Sequence, residues 1–62
     1  MDVAHIRKKT GLSQKEFSGV FLIPLSTLRQ WEQGKRVPQG PAQALLRIID
    51  KDAEAAIEAL HK

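Results

Sequence analysis

The stretch Leu12-Ser13-Gln14-Lys15-Glu16-Phe17 fixes a helix start more firmly than any other part of the chain. A serine N-cap accepts a backbone N–H three residues on, a glutamate at that third position reaches back, and flanking apolar residues staple across them. Ser13 and Glu16 supply the pair, and Leu12 and Phe17 the staple. A few residues later Ile23 precedes Pro24, which pushes Ile23 toward extended backbone and ends the helix near Phe21. Proline also suits a helix start, so a third helix begins at Pro24 or Leu25 and runs to a stop at Gly34. Two short helices joined by so few residues must meet at a steep angle.

The rest of the chain also reads as helix, with no strand signal. Val3, Ile6 and Thr10 lie at helical spacing behind Asp2, an N-cap, with Gly11 as the stop, giving a first helix over about residues 2 to 10. Lys35 to Pro41 is a loop by its Pro and Gly content. Pro41 opens a fourth helix over about 41 to 50 that buries some of Ala42, Leu45, Leu46 and Ile49. Asp52 caps a fifth helix, about 52 to 61, with Ala53, Ala56, Ile57 and Leu60 on one apolar stripe. The expected fold is all-α: one domain over residues 1–62, a compact five-helix bundle with a helix-turn-helix at about 13–33. Its expected core includes Phe17, Phe21, Ile23, Leu28, Trp31 and Leu45.

With 62 residues and no cysteine, this bundle must hold by packing alone, without disulfides or thiolate metal sites. The net charge of +3 is unevenly spread. Residues 1 to 36 carry seven Lys or Arg against three acids, and residues 37 to 62 three against four. The basic half suits an anionic partner, although solvated surface lysines would look the same. No apolar run approaches the roughly 20 residues that span a bilayer and no signal peptide opens the chain, so a cytoplasmic protein is expected. His5 and His61 stand apart near the ends, no metal-ligand spacing appears, and no nucleophile has an evident base. An enzyme, a metal and a cofactor are not expected.

GLSQKEFSGVF followed by STLRQWEQGKRVP resembles the Xre/Cro-repressor family of helix-turn-helix DNA-binding proteins over residues 3 to about 50. The resemblance implies that Arg7 on the first helix pairs with Glu32, a structural contact, and that Gln14 opens the second helix close to a DNA phosphate. Trp31 shares a helical face with Leu28, which favours a core role over a base-stacking one. A recognition helix in the major groove touches base edges mainly through its N-terminal side chains. Arg29 suits a bidentate contact with guanine, Ser26 and Gln30 flank it, and Leu25 suits a thymine methyl. Thr27, Lys35 and Arg36 would add phosphate contacts, with a solvated loop pair the alternative for the last two.

VPQGPAQALLRIIDKDAEAAIEAL resembles the end of the Xre-type antitoxins of the host-inhibition-of-growth kind. This implies a homodimer on a palindromic operator, with Ile57 and Leu60 either at the dimer contact or finishing the monomer core, and a cognate toxin as partner. In that group a segment ahead of the DNA-binding domain often engages the toxin. Asp2 here leads almost directly into the first helix, as in a trimmed chain or a minimal repressor. A helix-turn-helix that binds a toxin or other protein and not DNA is the competing class. Two positions depart from the family pattern. Leu22 stands where a glycine is usual, and a left-handed backbone there costs leucine about 1–2 kcal/mol, which favours a turn of another shape. Pro24 stands where a polar cap is usual, supplying a fixed backbone angle but no side-chain acceptor.

Overall fold

The computed structural model describes residues 1–61 and shows five helices with no strand among them: α1 Val3–Thr10, α2 Gln14–Phe21, α3 Leu25–Glu32, α4 Pro41–Lys51 and α5 Ala53–His61. Lys62, the last residue of the expected domain, lies outside the described residues. Four of the five helix starts have a device of their own, while α3 begins behind Pro24 with no side-chain cap. The Asp2 carboxylate accepts from the His5 N–H at 3.0 Å. Ser13 and Glu16 close both halves of a capping box, at 3.1 and 2.9 Å. Asp52, the single residue between α4 and α5, ends one helix and accepts the Ala55 N–H of the next at 3.0 Å. Pro41 occupies the first turn of α4, where its missing N–H leaves nothing unpaired.

The turn between α2 and α3 corrects the expectation of another shape: Leu22 sits in the left-handed region, at φ 58° and ψ 39°. Three bonds and one buried side chain explain how a leucine is held there. The Ser18 carbonyl accepts the N–H of Leu22 and, at 3.0 Å, that of Ile23. The Ser18 hydroxyl donates to the Ile23 carbonyl. Ile23 is only 7% exposed, whereas the Leu22 side chain is thrown outward and 77% exposed. Burying the one residue and pairing its backbone offsets the strain at the other.

The core lies where α1, α2, α3 and α4 converge, with α5 closing one side. Phe17, Leu28 and Leu46 are fully buried, and Val3, Ile6, Phe21, Ile23, Ile49 and Ala56 complete the cluster. The rings of Phe17 and Phe21 tilt against each other with centroids 4.7 Å apart, a favourable aromatic geometry. Two expected core residues sit further out: Trp31 and Leu45 pack on the flank of the cluster and remain half-buried. In α4 it is Leu46, one helical step from Leu45, that reaches the centre together with Ile49. Pro38, in the loop between α3 and α4, is buried as well.

Candidate nucleic-acid interface

Helix α3 has a bound side and a free side, and the bound side is assembled from distant parts of the chain. Leu28 seals it to the core with no exposure. At its C-terminal end the Glu32 carboxylate receives Arg7 as a fork, Nε at 2.7 Å and Nη2 at 3.1 Å. Such bidentate pairing is among the stronger polar contacts a protein makes. The third guanidinium donor, Nη1, reaches the Leu12 carbonyl at 3.0 Å, and Gln14 Nε2 donates to Glu32 at 3.1 Å. One carboxylate thus ties α3 to α1 and to the first residue of α2.

The charge state of this cluster follows from its surroundings. Burial pushes the Glu32 carboxyl up, but the hydrogen bonds from Arg7 and Gln14 and the charges of Arg7 and Lys8 outweigh it and hold the group below the usual carboxylate range. The hydrogen bond to Glu32 raises the Arg7 guanidinium against the opposing effect of burial. Both groups are therefore charged at neutral pH, and the Glu32 side chain keeps only 8% of its surface.

Away from that side Ser26 and Arg29 are exposed and Thr27 and Gln30 half-exposed, while Leu25, half-exposed at the first turn, lies on the same face as Leu28 and Glu32. Gly34, in the left-handed region, lets the chain leave α3 sharply: its N–H meets the Trp31 carbonyl at 3.2 Å and the Lys35 N–H meets that of Gln30 at 2.9 Å. The stop places Lys35 and Arg36, both exposed, directly beyond the end of α3. Arg36 Nη1 donates to the Gln30 side chain at 3.4 Å, a weak link between loop and helix. Among the described residues no ion pair includes Arg29, Lys35 or Arg36. Three exposed cations, on α3 and the loop that follows it, are thus left without an internal counter-ion, which favours an anionic partner.

The remaining candidates fall elsewhere. The Gln14 side chain is turned toward Glu32 and half-buried. Ile57 packs against the core, and Leu60 stays 43% exposed on α5. Sequence reasoning gave no role to Ser18, which fixes the turn before α3, nor to the Lys9–Asp50 pair that links α1 to α4. Ser18 carried a usable signal, since a hydroxyl in a last helical turn is placed to bond the backbone that follows. Lys9 and Asp50 are 41 residues apart, and nothing local connects them. The described residues hold no cluster of three or more metal-ligating His, Cys, Asp or Glu, and no helix long and apolar enough to cross a membrane.

Comparison with known proteins agrees with this geometry. The antitoxin HigA-2 of Vibrio cholerae serotype O1 is 32% identical over 53 residues, covering 86% of this chain and 51% of the relative. The antitoxin MqsA of Escherichia coli strain K12 is 35% identical over 52 residues, covering 84% of this chain and 40% of the relative. The chain thus spans about half the length of these relatives or less. No solved structure gives a significant match. The helix-turn-helix family profile matches residues 3–54, the span that contains α1 to α4 and the anchored third helix. On that match, with five helices among the described residues and only three residues between α2 and α3, the chain belongs to the Xre-type helix-turn-helix family.

Proposed function

We propose that this chain is a sequence-specific DNA-binding regulator of the antitoxin kind, a single domain over residues 1–62 that represses from a palindromic operator as a homodimer. The observation that carries the reading is the contrast on α3: Leu28 and Glu32 lock one side, while Ser26 and Arg29 stand exposed on the other. An α-helix so mounted fits the major groove, where Arg29 takes guanine through two donors and Ser26 and Gln30 read neighbouring edges. Leu25 meets a thymine methyl. Thr27, Lys35 and Arg36 contact phosphates and set register. Gln14, its amide committed to Glu32, offers a phosphate its backbone N–H at the start of α2.

Two copies pair through α5, with Leu60 and Ile57 at the contact, and meet half-sites about 10–10.5 bp apart or a multiple of that. The names of the relatives support a cognate toxin as second partner and the bacterial cytoplasm, on the nucleoid, as the place of action. The test is a protection footprint on the DNA upstream of the native gene. The expected result is a two-fold symmetric protected site whose affinity falls steeply with salt, by about 0.9 in log–log slope for each phosphate neutralised. Absence of any protected site, or binding indifferent to salt, overturns the DNA reading and favours a helix-turn-helix that binds protein alone.

A further inference from the structure

The loop after α3 is tied back to one residue of that helix, Gln30. The Gln30 carbonyl accepts the N–H of Lys35 at 2.9 Å and that of Arg36 at 3.3 Å, and its side-chain oxygen accepts Arg36 Nη1 at 3.4 Å. The backbone bonds, made where Gly34 turns the chain, keep Arg36 beside Gln30. Among the described residues neither side chain has another partner. Gln30 is half-exposed and lies four residues beyond Ser26, on the same row of the helix.

The chemistry of this pair fixes which end of the Gln30 amide is left for a partner. A guanidinium donates and never accepts, so only the oxygen of the amide can face it. With Oε1 turned to Arg36, Gln30 offers the hydrogens of Nε2. A glutamine with both ends free pairs with adenine, accepting from N6 and donating to N7. One whose oxygen is engaged is a donor, and in the major groove guanine alone presents two neighbouring acceptors, O6 and N7.

We infer that Arg36 sets the base choice of Gln30: by holding Oε1 it makes Gln30 a reader of guanine and not of adenine. Arg36 is then a positioning residue that acts through Gln30, a role beyond the phosphate contact proposed above. The inference rests on the reading of α3 as a helix in the major groove. In water an exposed bond of 3.4 Å contributes little. In the groove both side chains lose water, and a bond to a charged donor strengthens as the local dielectric falls. The orientation is therefore held most firmly when DNA is bound.

Selection of binding sites from random-sequence DNA, followed by fluorescence anisotropy on the selected site with each base in turn, tests this. Gln30→Ala is expected to abolish the preference at one position, and there the parent is expected to favour guanine over adenine by about tenfold. In Arg36→Ala the freed amide is expected to change that position to adenine and leave the others alone. Lys35→Ala is expected to keep every preference of the parent. In the DNA-free protein, nuclear magnetic resonance should show the Gln30 side-chain amide shifting in Arg36→Ala. Circular dichroism confirms that each variant keeps its helices.

An Arg36→Ala protein that binds more weakly with the preferences of the parent has lost a phosphate contact only, and overturns the inference. So does a parent that favours adenine at the Gln30 position, or a Gln30 amide unmoved by Arg36→Ala. A change to adenine in Lys35→Ala as well overturns it too, since loss of charge alone then suffices. If Gln30→Ala alters no preference, the inference falls while Arg29 still carries the DNA reading. A parent that selects no sequence overturns the DNA reading and this inference together.

Discussion

The first three helices and the last two are joined to the molecule by different means. Among α1, α2 and α3 the links are directional: the Arg7 fork on Glu32, Arg7 on the Leu12 carbonyl, Gln14 on Glu32 and Ser18 on Ile23. Helices α4 and α5 attach mainly by apolar burial of Leu46, Ile49 and Ala56. Their polar links are a surface pair, Lys9–Asp50, and a contact of His61 Nε2 with the Val20 carbonyl at 2.9 Å. Hydrophobic burial holds an element in place without fixing its direction closely, whereas bonded donors fix direction. The lesson is that the part proposed to read DNA is oriented by hydrogen bonds, and the part proposed to pair copies is held by packing.

The largest effects should come from cutting one anchor of each kind. Leu46→Ala removes a fully buried side chain and should lower stability by about 2–5 kcal/mol. Glu32→Ala leaves Arg7 unpaired and half-buried, with a loss of about 3–5 kcal/mol. For a chain of 62 residues whose total stability is about 3–9 kcal/mol, urea titration should show either variant near collapse. Acid should separate them. The folded-state pKa of Glu32 is depressed, so its contribution is full above the ordinary glutamate value of about 4.3 and is lost as pH falls through the depressed value. The gap between parent and Glu32→Ala should therefore close on acidification, while the gap to Leu46→Ala persists. A Glu32→Ala gap independent of pH would show that packing, not charge, holds α3.

Smaller in size is Leu22→Gly, which relieves about 1–2 kcal/mol of left-handed strain and returns about 0.4–1 kcal/mol of freedom to the unfolded chain. A net gain in stability of about 0.5–1 kcal/mol, read as a higher urea midpoint, is expected. A loss would mean that the exposed leucine makes contacts of its own. The smallest effect belongs to Asp50→Asn. Lys9 and Asp50 are about half-exposed, and although Lys9 draws the Asp50 carboxyl below its usual range, solvent screens the pair. The midpoint should hardly move, and a large drop would show that α4 also depends on directional contacts.

Local chemistry made much of this legible. Asp2, Ser13 and Asp52 start helices, and Gly11 and Gly34 stop them, because caps act on the backbone within a few residues. What depends on distant packing was less legible. Leu22 reads as a misfit until Ser18 and the burial of Ile23 are known. Leu45 and Leu46 differ by one step of helical phase, which only the neighbouring helices decide. At the candidate interface, nothing local to Gln14 announced its bond to Glu32, 18 residues away, since so mobile a side chain is fixed only by its partner.

Asp52 alone separates α4 from α5. With one residue as the joint, the azimuth of the last helix is inherited from the one before it. An inserted residue would advance part of the chain by about 100° and turn Ala56 away from the core. The last helix would then lose its seat while remaining helical, so the length of this joint, more than its composition, decides where α5 lies.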